Sequence, residues 1–354
     1  MRPKTLVILG AIAAASAAGA IFLAPRSDVV DGKIGDRIFP ELAGRAPEVR
    51  SIELQRPDGT VLLQRDGDNW IVPARAGYAA DVARVRQLFV EVTDLRTLEA
   101  KTRNAELHAS LEVEERDRPG AKSTRIAFRD GQGKELVALL AGRNRFGHAG
   151  GGQDAVYVRR AGDSLAWLAK GRLTVNRDTV QWLDRELANV ARERVRASVI
   201  THPDGAVTRV SRPSPSEAEF TLADIPDGRT AKTGWEISSV AAAFERLDIE
   251  DVRKLADIAI PADAPQTVIT TFDGLELTTR FAEKDGATWV AIVARAEPPA
   301  QLPEGGPALK AADDVRAEAA AINRKAEGWA YRLPVFNATN LRKRVDELLE
   351  PKDS

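Results

Sequence analysis

The stretch from Gly142 to Gly152 (Gly-Arg-Asn-Arg-Phe-Gly-His-Ala-Gly-Gly-Gly) is the segment of this chain that comes nearest to a ligand-binding loop. Gly142 and Gly147 have the spacing of a phosphate cradle, but His148-Ala149 stands where such a loop carries Lys followed by Ser or Thr. Without that ammonium the phosphates lack their counter-charge. The stretch also lies between two expected strands, with no helix N-terminus after it to receive an anion. A flexible hairpin connection is the expectation, and anion contact through Arg143 and Arg145 is the functional alternative.

The remaining polar candidates are scattered. His108, His148 and His202 are the only histidines, and no pair has the spacing of a helical metal site, so each is expected at the surface. The densest acidic sets are Asp184-Arg185-Glu186 and Asp248-Ile-Glu-Asp251. Neighbouring helix positions point apart, so these suit solvated faces better than acid–base pairs. No Gly-x-Ser-x-Gly elbow occurs. The chain has no Cys, which excludes thiolate zinc sites and Cys nucleophiles. No catalytic, cofactor-binding or metal-ligating residue is assigned, no cofactor is expected, and the reading is of a non-enzyme. Trp70 and Trp235 occupy matching places in a repeated pattern, and core packing is their expected role. A platform for an extended ligand is the sharper alternative.

The elements that would position these residues are legible in outline. Ser51 to Gln55 alternates apolar and polar, Arg56-Pro-Asp-Gly59 is a turn signal, Val61-Leu-Leu63 returns, and Asn69-Trp-Ile-Val72 follows as a third strand. Val82, Val85, Phe89 and Val92 then recur at helical spacing over residues 79–92. The order returns later. Val195 to Ile200 alternates, Pro203-Asp-Gly205 repeats the turn, Val207 to Val210 returns, and Gly234 to Ile237 parallels Asn69 to Val72. A helix with Val240, Phe244 and Leu247 on one face is expected next, capped by Ser238 or Ser239.

A second kind of unit alternates with the first. It places strands at 123–128, 136–140 and 155–159 and a short helix from Asp178 to Leu187. Its late counterpart has strands at 267–272, 275–281, 288–293 and 329–333 and a helix from Thr339 to Leu349. The pattern is an A-B-A-B duplication, giving an α+β fold of two similar lobes of antiparallel strands with packed helices. The lobes are residues 49–192 and 193–354. Residues 297–327 interrupt the second one, and the Ala-rich part from Ala308 to Ala326 is expected as an exposed helical excursion.

The N-terminus says where the lobes work. Arg2 and Lys4 precede an uncharged run, Thr5 to Leu23, long enough as a helix for about 28 Å, close to a bilayer core. The charges favour a cytoplasmic start and put the bulk of the chain on the far side. Ala18-Gly19-Ala20 also fits a signal-peptide cleavage site, and both readings export the lobes. Residues 1–23 are therefore expected as a signal-anchor helix of the bacterial inner membrane. Residues 24–48 would be a tether that first docks at Phe39-Pro40-Glu41-Leu42, with the lobes in the periplasm.

Composition agrees with an envelope protein. The 354 residues are 44% hydrophobic and 29% charged with a net charge of −1, so the chain is globular and carries no basic excess for nucleic acid. An exported chain without Cys must be held by its cores alone.

Phe39-Pro40, Ser51-Ile-Glu-Leu54, Trp70, Tyr78-Ala-Ala-Asp81, Glu99-Ala-Lys-Thr102 and Leu111-Glu-Val113 together resemble a bacterial family defined by a domain of unknown function, number 4340. Tyr157-Val-Arg-Arg160, Trp167-Leu168 and Trp182-Leu-Asp-Arg185 extend the likeness. It covers residues 36–200 well and the second half loosely, and Glu112 stands where the family suggests Gly. The resemblance implies a single-pass, envelope-facing component, similar in some members to auxiliary subunits of gliding-type ATP-binding-cassette transport systems. None of these motifs is catalytic. The expected function is thus a non-enzymatic accessory or scaffold protein, with the membrane and envelope or transporter proteins as partners. A glycan- or lipid-binding module is the alternative, and an envelope hydrolase the third reading.

Overall fold

A computed structural model describes residues 34–147, 152–232, 234–261, 263–299 and 309–351. The chain runs α1 (Pro40–Arg45), β1 (Ser51–Arg56), β2 (Gly59–Asp66), β3 (Asn69–Val72), β4 (Tyr78–Ala79), α2 (Val82–Asp94), β5 (Arg96–Thr102) and α3 (His108–Leu111). It continues through β6 (Thr124–Arg129), β7 (Glu135–Arg145), β8 (Ala155–Arg160), β9 (Ala166–Lys170), β10 (Glu186–Ala188), β11 (Val195–Thr201), β12 (Val207–Ser211) and β13 (Thr221–Leu222). The rest is α4 (Trp235–Ala241), β14 (Leu247–Asp248), β15 (Asp251–Lys254), α5 (Leu255–Ile258), β16 (Gln266–Thr271), β17 (Leu275–Lys284), β18 (Ala287–Ala296), α6 (Ala312–Ala326), β19 (Trp329–Arg332) and α7 (Val335–Asn340). The fold is α+β, dominated by antiparallel sheet with few helices, as the strand-and-turn pattern predicts. Among the described residues no helix is long and apolar enough to cross a membrane. The expected anchor, residues 5–23, lies outside them.

The chain forms two compact units. The first comprises the described residues up to Arg45 together with Val90–Arg125 and Ala138–Leu173. Its strands run in the order β7-β8-β9-β5. Tyr157, Ala166, Leu168, Leu140, Ala155 and Val113 form its apolar cluster. The expected docking point of the tether is built into this unit. Phe39 and Leu42 are fully buried, and the Arg160 guanidinium lies 4.7 Å over the Phe39 ring. Arg160 also grips the Glu41 carboxylate with two nitrogens, at 2.8 and 3.0 Å.

The second unit comprises Ala46–Phe89, Ile126–Val137 and the described chain from Thr174. It holds the strand order β4-β3-β2-β1-β6, the pair β10-β14, and a separate eight-stranded sheet, β13-β12-β11-β16-β17-β18-β19-β15. The β1–β2 hairpin follows from its sequence. Ile52 pairs with Leu63 and Leu54 with Val61, so alternation puts four buried apolar residues on one face. Pro57-Asp58 makes the turn between them.

Four expectations give way to non-local bonding. The helix expected from residue 79 starts at Val82, because Tyr78–Ala79 pairs with β3 as β4. Asp81 then caps the helix by accepting from the Arg84 amide at 3.1 Å. Asp178–Leu187 is a short 3-10 turn, Thr179–Trp182, followed by β10. Its backbone serves residues 79–81: the Asp81 amide donates to Trp182 O at 2.8 Å and the Asp184 amide to Ala79 O at 2.9 Å.

Gly234–Ile237 is not a strand but the start of α4, which buries Ile237 through Ala241. The third-strand place beside β12 is taken by β13, where Leu222 pairs with Val210. Thr339–Leu349 is not one helix. The helix α7 ends at Asn340, a 3-10 turn spans Val345–Leu348, and the chain is drawn into pairing with residues 230–232.

The Ala-rich segment is helical as expected but is not an exposed excursion. Val315, Ala319, Ile322 and Ala326 form a buried stripe on α6, which packs on β18. The Asn323 amide nitrogen donates to Ala294 O at 2.8 Å, and its oxygen accepts from the Ala294 amide at 2.9 Å. One side chain thereby occupies a strand-pairing position on β18.

Candidate functional site

Gly142, which opens the glycine-rich stretch, has a structural role. Gly142 lies within β7, where a Cβ would fall 2.2 Å from Leu111 O and 3.1 Å from Glu112 O. Glycine is needed there so that the end of α3 can approach the strand. Arg143 donates to Ser110 O and sits 3.9 Å from the Glu112 carboxylate, so it serves the same helix end. Glu112 takes the left-handed conformation that closes α3, with φ 62° and its amide donating to Ala109 O and His108 O. The turn therefore forms with Glu where the family resemblance suggests Gly. His148 lies outside the described residues.

His108 and His202 are buried, contrary to the expectation of surface residues. Nε2 of His108 is 2.9 Å from Ser164 O, and burial followed by the nearby Arg159 charge holds its pKa below the ordinary value. His202 is held low by burial and then by Arg344. Its Nε2 is buried with no partner among the described residues.

The acidic sets disperse onto separate cations. Asp184 pairs with Lys325 at 2.8 Å, Asp251 with Arg75 at 2.6 Å and Glu250 with Arg332 at 3.4 Å. Two carboxylates do converge, though they lie outside those sets. Arg194 Nε and Nη2 reach Asp273 at 2.7 and 3.2 Å, while Nη1 and Nη2 reach Glu318 at 2.9 and 2.8 Å. Lys310 Nζ adds a bridge to Glu318 at 3.0 Å, and Thr271 Oγ1 donates to Asp273 at 2.5 Å. Burial works to raise both carboxyl pKa values, but the Arg194 hydrogen bonds win and hold them below the usual range. Both acids stay ionised and are already saturated by donors, so the cluster fastens α6 and offers no general acid or base.

The tryptophans separate into two roles. Trp182 and Trp289 are core residues, about 1% exposed, and Trp70 is half-buried. Trp329 meets Tyr78 edge-on at 5.0 Å, and Tyr78 also meets Tyr331 edge-on at 6.0 Å. Burial pushes the Tyr78 hydroxyl up to about 12, so it stays protonated.

Trp235 is different: it is 64% exposed and stacks on Phe336 with centroids 5.6 Å apart. Phe336 is 51% exposed and Val335 beside it 78%. The helices α4 and α7 present this apolar surface, and polar contacts fix their relation. Asn337 Nδ2 donates to Ala243 O at 2.9 Å, and Ser239 Oγ to Asn340 Oδ1 at 3.2 Å.

Sequence reasoning singled out Trp235 but assigned it to core packing by analogy with Trp70. It missed Val335 and Phe336, for which the only signal was two large apolar residues directly after Pro334 on a short segment without a second apolar face.

The sequence model of a domain of unknown function, DUF4340, matches residues 70–267, more than half of the chain. No match was found among curated proteins or among solved structures. The matched span contains Trp70, Tyr78-Ala-Ala-Asp81, Tyr157-Val-Arg-Arg160 and Trp182-Leu-Asp-Arg185 from among the motifs that carry the likeness, while Phe39-Pro40 and Ser51-Ile-Glu-Leu54 lie before it, and the chain belongs to the DUF4340 family.

Proposed function

We propose that this chain is a non-enzymatic accessory or scaffold component of a bacterial envelope complex, of the ATP-binding-cassette transport type. Residues 5–23 anchor it in the inner membrane and the lobes work in the periplasm. The observation that carries this reading is the exposed Trp235–Phe336 stack with Val335 beside it. Large aromatic residues left in water on fixed helices are costly unless a partner covers them, and such residues dominate protein interfaces.

The two lobes, residues 49–192 and 193–354, are the products of an internal duplication. What supports this is the strand order. The run β3-β2-β1-β6 recurs as β13-β12-β11-β16, and β7-β8-β9-β5 recurs as β17-β18-β19-β15. In the first lobe β5, which follows α2, closes the second run; in the second β15 closes it and follows α4 after the short β14.

The test is site-specific crosslinking in intact cells. A photoreactive residue at position 336 of the full chain should capture membrane-embedded transport subunits. Trp235→Ala with Phe336→Ala should reduce co-purification of the same subunits at least tenfold. Capture unaffected by those substitutions, or no transport subunit at position 336 despite efficient crosslinking, counts against the docking role.

A further inference from the structure

The turn between β11 and β12, His202-Pro-Asp-Gly-Ala206, is closed by its own backbone. The His202 amide donates to Ala206 O and the Gly205 amide to His202 O, both at 2.9 Å. Its side chains reach a second segment, residues 343–347, that follows α7. Buried residues bound this segment: Leu341 and Leu348 are fully buried, whereas none of residues 342–347 is. On one side Arg342 is tied to Glu283 of β17 and to Ala338 O of α7. On the other, Leu348 O accepts from the Lys232 amide at 2.8 Å.

Within the segment the bonds are local. The Arg344 amide donates to the Glu347 carboxylate at 2.7 Å and the Glu347 amide to Arg344 O at 3.1 Å. Lys232 Nζ donates to Glu347 O at 3.1 Å, and the turn supplies two further fastenings. Asp204 pairs with Arg344 at 2.8 Å, and the His202 ring hydrogen-bonds to Lys343 O. The Asp204–Arg344 pair lies in solvent, where an ion pair is worth little. The His202 contact is buried, with the residue 7% exposed.

The ring has one nitrogen to spare. Nε2 is buried without a partner among the described residues, which leaves Nδ1 as the donor to Lys343 O. In the neutral ring Nε2 is only an unused acceptor. Protonation makes it a second N–H donor that finds no acceptor, and a charged donor left unmet is the costlier state. The charged groups acting on the ring are Arg344, which opposes a positive charge there, and Asp204 and Glu347, which favour one. Burial and then Arg344 outweigh the two carboxylates, so the imidazole pKa lies below its ordinary value.

We infer that His202 is a proton-operated clamp on the loop after α7: the neutral ring holds Lys343 O, and protonation lets residues 343–347 open while the sheet stays folded. Opening gives Nε2 water to donate to and takes Arg344 away from it. The loop suits this role, because it has no buried side chain between its two buried anchors and uncovers little apolar surface on leaving. The size of the response is bounded. A hydrated imidazole titrates near ~6.5, so between about pH 7.5 and 5.5 linkage raises the opening equilibrium by at most about tenfold. The clamp shares no residue with the Trp235–Phe336 surface.

The test is amide hydrogen exchange of the full chain in detergent micelles, read on the peptide spanning residues 343–347 and corrected for the intrinsic rate at each pH. Its protection should fall about three- to tenfold from pH 7.5 to 5.5. In His202→Gln, which keeps a donor but cannot titrate, the fall should be under about 1.5-fold. Low urea should leave this exchange unchanged while it speeds exchange in β11, because local opening exposes little surface. Should the variant fail to fold, histidine-labelled wild-type chain gives a second reading by NMR, with His108→Gln and His148→Gln assigning the resonances. The His202 imidazole should then titrate below about 6.5. An equal pH response in folded His202→Gln, loop exchange with the urea dependence of β11, or an imidazole midpoint at or above that value overturns the clamp.

Discussion

Gly142 and Leu111 are in backbone contact so close that a Cβ on the first would lie 2.2 Å from the carbonyl oxygen of the second. The contact seats the end of α3 against β7, and its glycine opens a stretch whose glycine spacing looks like a phosphate cradle. Gly142→Ala should therefore destabilise the protein by about 1–3 kcal/mol or more, because the obstacle is backbone and cannot rotate away. Gly147→Ala meets no atom, so its cost should be confined to its positive φ, about 1 kcal/mol. Urea unfolding of the two variants separates the effects. Equal losses would remove the packing explanation.

Arg194 holds two carboxylates from segments 79 and 124 residues away. Arg194→Met leaves the buried Asp273 and the partly buried Glu318 without their main partner and should cost about 3–5 kcal/mol. The triple variant Arg194→Met, Asp273→Asn, Glu318→Gln should recover a large part of that loss, because the uncompensated charges are gone. The pH dependence has a definite sign. Both folded carboxyl pKa values are lowered, so the stability they contribute is complete above the ordinary carboxylate range near ~4. It is lost as pH falls through the lowered folded values. Acid titrations of wild type and triple variant should diverge in that window, and superimposable curves would count against the cluster as the acid-sensitive fastening.

His202 gives a separate signal at milder acidity. Its folded pKa is lowered, so the unfolded chain binds more protons below about 6.5. Stability should fall as pH drops under that value and keep falling until the folded imidazole also titrates. His202→Gln should flatten part of the slope below about pH 6.5, leaving the part due to His108, whose pKa is lowered as well. Thermal melts across this range are the measurement, and an unchanged slope in the variant would show that His202 does not contribute.

Trp235 and Phe336 should be dispensable for folding. The pair is more than half exposed, so Trp235→Ala and Phe336→Ala should each change stability by less than about 1.5 kcal/mol, the most that their mutual stacking is worth. Trp182→Ala, at a fully buried indole, should cost about 3–5 kcal/mol. Denaturant curves for the three variants would test this, and a loss at Trp235 as large as that at Trp182 would make it a core residue.

Local periodicity and turn chemistry were enough to read much of the architecture. Ile52, Leu54, Val61 and Leu63 alternate around Pro57-Asp58, and period two with a tight turn leaves them one shared face. The amphipathic helix that ends at Asp94 and the strands around Asp130-Gly131 and Asp273-Gly274 follow the same logic. The chain also carries its family membership in motifs that need no coordinates.

What the tertiary structure decided was which backbone and side-chain groups find distant partners. Residues 178–187 have a helical pattern, but Trp182 and Asp184 are bonded to the backbone of 79–81, and those bonds replace the helix. Val315, Ala319, Ile322 and Ala326 look like too thin a face to bury, until β18 supplies the surface and Arg194 the fastening for Glu318. Trp235 and Trp70 have matching places in sequence, but one begins a helix and lies in solvent while the other sits half-buried in a strand. Hydrogen bonding and burial depend on groups far apart in the chain, whereas a sequence pattern records only the spacing of near neighbours.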